Sequence, residues 1–138
     1  LGNVETMVWA RQKTMPALLK SLREGYFYAR NNTERQSLTL EEWKVQPNAS
    51  NRVDVLLHVT SRTKGEKVNM RVIRNGRVVK ELNSITPLRL EFQDVPPPGI
   101  ETSYYRVVIL GAYPLKLVTN PLFVPARSGP QPTNGPPD

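Results

Sequence analysis

The chain has 138 residues, 38% hydrophobic and 22% charged, with 19 Lys and Arg against 12 Asp and Glu, one His and no Cys. It is long enough for one domain with a real core, and it offers no disulfide framework, thiolate metal site, cysteine nucleophile or multi-histidine metal centre of its own. No apolar stretch approaches the roughly 20 residues that a membrane-spanning helix needs, so no membrane span is expected.

The opening reads strand, helix, strand. Val4, Thr6, Val8 and Trp9 form a β-prone run, and Tyr26, Phe27 and Tyr28 form another. Between them, residues 14–25 (TMPALLKSLREG) place Met15, Leu18, Leu19 and Leu22 at i, i+3, i+4 and i+7, one apolar stripe of a helix. Thr14 is a natural cap for the free amides of the first turn, Pro16 falls where its missing N–H costs nothing, and Gly25 suits the left-handed residue that ends a helix. The stripe must dock on something or stay open to solvent.

From Ser37 the period changes to two. Leu38 and Leu40 alternate, then Trp43 and Val45 alternate in the opposite phase, which predicts a bulge near Glu41 or Glu42. Residues 52–60 (RVDVLLHVT) put Val53, Val55, Leu57 and Val59 on one face. Asn75-Gly76 between two β-branched runs predicts a two-residue hairpin turn. The simple register opposes Arg74 to Arg77, Ile73 to Val78, Val72 to Val79 and Arg71 to Lys80, with Val68, Met70, Val72 and Val79 inside. Leu88, Leu90 and Phe92 alternate next, until the prolines at 96–98 stop that run. Tyr105, Val107 and Ile109 form one face of a further strand, and residues 115–124 (LKLVTNPLFV) close the domain with a break expected at Pro121. About seven strands between Ser37 and Val124, with one N-terminal helix, make the predicted fold mainly β: an immunoglobulin-like sandwich. The Pro- and Gly-rich residues 125–138 read as a disordered tail, with a proline-rich ligand for an aromatic groove as the alternative.

Candidates for chemistry are thin. His58 alternates with apolar residues and reads as a half-buried or rim histidine rather than a base. Glu41 and Glu42, as neighbours on a strand, are expected on opposite faces and so unable to act on one bond. Tyr104 and Tyr105 read as one surface and one core residue. Asn31 and Asn48 each open a glycosylation-type tripeptide, a short pattern frequent by chance. No phosphate-cradling loop, zinc spacing or nucleophile elbow is present, so no catalytic, cofactor-binding or metal-binding residue is assigned. The basic excess concentrates in the hairpin, where Arg71, Arg74, Arg77 and Lys80 are the candidate contact for an anion or a neighbouring domain. Nucleic acid is the weaker expectation, since cations also protect sheet edges and no aromatic-plus-basic surface of a single-strand binder is visible.

One resemblance accounts for the unusual beginning. Residues 5–30 carry Thr6, Val8 and Ala10 in a Thr-x-Val-x-Ala strand, Thr14 opening a helix, and Leu22-Arg23-x-Gly25 running into an aromatic strand. Further on come Arg74-Asn75-Gly76, then Tyr105-Arg106-Val107 and Thr119-Asn120-Pro121-Leu122-Phe123. In order and spacing these resemble the end of PHP-type metal-dependent phosphoesterases, in the branch where a C-terminal β-sandwich follows the catalytic domain. The resemblance implies that residues 1–30 end the catalytic domain's strand-helix passage and that 37–124 form an accessory sandwich. Its partner would be the upstream catalytic domain of the same polypeptide. The His and Asp ligands of the divalent metals are expected in that upstream domain, with no cofactor in this chain, and a chain opening on Leu1 fits an excised fragment. The implied function is non-catalytic: bracing the catalytic domain or shaping substrate access. A stand-alone basic module for nucleic acid or an anionic glycan is the alternative.

Overall fold

The computed structural model describes residues 3–126. Its elements in chain order are β1 (Asn3–Val8), α1 (Met15–Glu24), β2 (Phe27–Asn32), β3 (Leu38–Pro47), β4 (Val53–Ser61), β5 (Lys67–Arg74), β6 (Arg77–Ile85), β7 (Leu88–Asp94), β8 (Thr102–Leu110), β9 (Lys116–Thr119) and β10 (Leu122–Pro125). They form a two-layer antiparallel β-sandwich. The larger sheet runs β1-β2-β9-β8-β5-β6 with β10 also on β8, and the smaller runs β3-β4-β7.

The core follows the period-two reading. Val53, Val55, Leu57 and Val59 of β4 are buried against Met70 and Val72 of β5 and Tyr105, Val107 and Ile109 of β8. The expected bulge in β3 lies between Leu40 and Glu42, and it lets Leu40 and Trp43 both face inward across an odd spacing. Eight strands, not seven, lie between residues 37 and 125, because the last predicted strand divides at Asn120-Pro121. Its first half pairs with Val108–Leu110 of β8 and its second with Thr102–Tyr105. A proline there has no N–H to continue the ladder. Pro125 pairs with Thr102, and the Ala126 amide donates to the Glu101 carbonyl, so both residues are held by ladder bonds rather than belonging to a tail. The rest of the expected tail, 127–138, lies outside the described residues.

The helix forms where its punctuation indicates. Thr14 is extended and its hydroxyl accepts from the Ala17 amide, Pro16 sits in the first turn, and Gly25 at φ 82° closes the C-terminus by donating to Leu22 and Ser21 carbonyls. A Cβ at Gly25 would also fall 2.5 Å from the Asn120 side-chain nitrogen, which would have to shift, but it is the left-handed backbone that calls for glycine here. The strands on either side of α1 pair with each other, and β2 pairs with β9, which carries this opening passage into the larger sheet. Side chains then tie it to the other layer: Arg30 donates to the Leu38 carbonyl at 2.8 Å, and the Tyr28 hydroxyl accepts from the Leu40 amide.

The hairpin needs a correction. Asn75 (φ 49°) and Gly76 (φ 82°) make the predicted type I′ turn, and Arg74 faces Arg77 and Ile73 faces Val78 as expected. A bulge then intervenes between Val72 and Ile73, so that Val72 faces Lys80 and Arg71 faces Glu81. The predicted Arg71–Lys80 pair of like charges is therefore replaced by an ion pair with Nε–Oε2 at 3.3 Å. Val79 takes the extra position and still packs against the core.

Candidate docking surface

The four hairpin cations do not share one surface. Arg71 projects from the outer side of the larger sheet, neutralised by Glu81, whose carboxyl is held below its ordinary pKa by hydrogen bonds from Asn69 and Arg71. Arg74 points the other way. It shares an inward position with Tyr105 and reaches Asp94 of the opposite sheet at 2.5 Å. Lys80, shifted inward by the bulge, lies 5.7 Å from the centre of the Phe92 ring. Arg77, beside the turn, is exposed and, like Lys80, has no ion-pair partner among the described residues.

Arg74, Asp94 and Tyr105 form a closed network that joins the two layers. The Tyr105 hydroxyl donates to the same Asp94 oxygen at 2.6 Å, and the Arg74 and Asp94 side chains are 13% and 10% exposed. Burial first, then the bond to Asp94 and that carboxylate's charge, push the Tyr105 phenol well above its ordinary 10.0, with Arg74 opposing. The folded chain thus holds this proton more tightly than the unfolded chain does. Its contribution to stability is complete below the unfolded pKa and is lost as pH rises past it. Urea unfolding at about pH 11 is expected to show a lower midpoint than at neutral pH, with a smaller drop in Tyr105→Phe. Equal drops in the two proteins would show that Tyr105 is not the group responsible.

The outer face of the smaller sheet corrects another expectation. The β3 bulge puts Glu41 and Glu42 on one face rather than two: Glu41 accepts from the Thr60 hydroxyl at 2.7 Å, while Glu42 stands in register with His58. Arg89, on the other side of His58, bonds Glu42 at 2.8 Å and holds its carboxyl below the usual range, so Glu42 stays ionised and is a poor general acid. His58 is half-buried in this cross-strand row. Among the described residues no three His, Cys, Asp or Glu side chains gather as a metal site.

Apolar groups left in solvent are the more prominent feature. Of the α1 stripe, Met15, Leu19 and Leu22 are 66%, 46% and 41% exposed, and within the helix only Ser21 is buried. The outer side of the larger sheet adds Tyr104 and Phe123, paired edge-to-face with ring centres 4.9 Å apart, and Val78 beyond them. Tyr105 is the buried member of the tyrosine pair, as expected. Arg106 stands on that same outer side opposite Ile73, without an ion pair among the described residues. Aromatic and arginine side chains on a rigid face are the composition of protein-binding surfaces. The helix stripe was readable from its spacing. The sheet patch was not, because Tyr104 and Phe123 come from β8 and β10, which meet only through strand pairing. No protein-family model matches the chain, and neither does any curated protein or solved structure.

Proposed function

We propose that the chain is a non-catalytic accessory β-sandwich that braces a neighbouring catalytic domain, that domain being a PHP-type metal-dependent phosphoesterase upstream in the same polypeptide. The observation that carries this reading is the α1 stripe. The helix is capped at both ends and anchored through the strands on either side, yet its apolar residues Met15, Leu19 and Leu22 meet solvent. A rigid, preformed apolar ridge loses little entropy on docking. The order of motifs from Thr6 to Phe123 supplies the identity of the neighbour. In this role the sandwich core provides stiffness, and the neighbour's metals and their ligands supply the hydrolytic chemistry. A stand-alone polyanion module draws less support, because Arg71 is spent on Glu81 and Arg74 on Asp94.

The test compares two proteins: the isolated chain and the product of the full reading frame that contains it. Leu19→Asp with Leu22→Asp is expected to cost the isolated chain about 1–2 kcal/mol, from the lower helix propensity of Asp and its charge in the last turn, and to leave it folded. In the longer protein the same pair is expected to separate the melting of the sandwich from that of its neighbour and to lower phosphoesterase turnover. An upstream region with no metal-ligand motifs, or unchanged melting of the longer protein, would overturn the reading.

A further inference from the structure

At one end of the sandwich the β3–β4 loop, the β7–β8 loop and the end of β10 enclose a cleft of about 480 Å³. That volume is within the roughly 300–1,000 Å³ of small-molecule sites. Its walls are hydrocarbon: Pro47, Val53, Val95, Pro97, Ile100 and Val124 all face it. Val95 and Ile100 are 60% and 38% exposed, so apolar surface here is already paying the cost of hydration. The three consecutive prolines at 96–98 have no N–H, which leaves that wall without backbone donors for an extended peptide.

Two polar side chains on the cleft stand without partners. Ser103 is 4% exposed and on the inward face of β8, and its hydroxyl has no hydrogen-bond partner among the described residues. Its oxygen is not sealed from solvent, so it is open to a ligand in the cleft. Arg52 carries an exposed guanidinium with no carboxylate in ion-pair range among the described residues, although its backbone amide is held by Asn48. The site is also well supported. Val95 follows Asp94 and accepts from Arg74 at 3.4 Å, while Ser103 lies two residues before Tyr105 on the same strand face, so the inter-sheet network fixes both walls.

We infer that this cleft binds a small amphipathic carboxylate, its hydrocarbon body against the proline and aliphatic walls, its carboxylate on Arg52, and Ser103 donating to an acceptor oxygen. A guanidinium fork matches a carboxylate in a bidentate way, and an apolar wall without donors selects hydrocarbon over sugar or peptide. Phosphorylated or nucleotide ligands do not match it, since their polar groups would be stranded on the prolines. This site is independent of the bracing role.

Octanoate and octan-1-ol serve as the matched probes, titrated into the isotopically labelled chain and followed by amide shifts in heteronuclear NMR. Octanoate is expected to move the amides of Gly99, Ile100, Ser103 and Ala126 saturably, with a dissociation constant near or below about 1 mM. Arg52→Gln, an exposed substitution that leaves the spectrum's dispersion intact, is expected to weaken octanoate roughly ten-fold and leave octanol unchanged. Ser103→Ala should weaken octanoate less. The inference is overturned by an absence of saturable shifts at these amides, by octanol binding as well as octanoate, or by an Arg52→Gln protein that binds octanoate as the parent does.

Discussion

Asp94→Ala is expected to destabilise the fold by about 3–5 kcal/mol, the cost of stranding a buried charge by removing its partner. Two groups lose their acceptor at once. The Arg74 guanidinium, 13% exposed, keeps only a 3.4 Å contact to the Val95 carbonyl, and the fully buried Tyr105 hydroxyl keeps none that the structure shows. Tyr105→Phe, by contrast, removes one donor and leaves the ion pair, so its cost is expected near the usual ~1 kcal/mol of a single hydrogen bond. Urea unfolding of the two variants and their combination measures this as a cycle. The coupling should be clearly non-zero, because with Asp94 gone the phenol no longer has anything to donate to. A loss below about 1 kcal/mol for Asp94→Ala would show that water replaces the carboxylate and that the network is not a closed tie between the layers.

Leu57→Ala is expected to cost about 2–5 kcal/mol, the range for cavities in cores that cannot collapse. Leu57 is 0% exposed and sits on β4, the central strand of the smaller sheet, in register with Trp43 on β3 and Leu90 on β7. Neighbouring strands on both sides hold the backbone in place, so the void cannot be closed by moving β4. Against a typical total stability of about 5–15 kcal/mol, such a loss should bring the unfolding midpoint down sharply without changing the slope. A loss under about 1 kcal/mol would mean that the two layers close over the gap.

The reading of β4 shows why much of this fold was legible in advance. A strand with one buried face must alternate, and Val53, Val55, Leu57 and Val59 do so without interruption, as do Tyr105, Val107 and Ile109. The helix was equally plain because its stripe and both caps are local, and so was the Asn75-Gly76 turn. Even the β3 bulge could be inferred from the change of phase between Leu40 and Trp43.

What was misread depended on partners far away in the chain. The bulge at Val72 leaves no trace in the hairpin's own turn chemistry. It brings Glu81 opposite Arg71, turns Lys80 toward Phe92 in the other layer, and ends the idea of a single basic face. Arg74 resembled its neighbouring cations in sequence, although it continues the inward phase of Val68, Met70 and Val72; its partner there, Asp94, lies twenty residues on. The expected opposition of Glu41 and Glu42 failed for a similar reason: the bulge that was foreseen also rotates Glu41 onto the face of its neighbour.

Chain-local physics, namely side-chain periodicity, capping and turn stereochemistry, was enough to determine a mainly β sandwich with one amphipathic helix and most of its core. The tertiary structure alone decided the register beyond the hairpin turn, the pairing of Arg74 with Asp94, the outer patch at Tyr104 and Phe123, and the cleft shared by three distant segments. Each of these is set by the pairing of strands and by charges that meet across the layers, and neither is encoded in any short window of sequence.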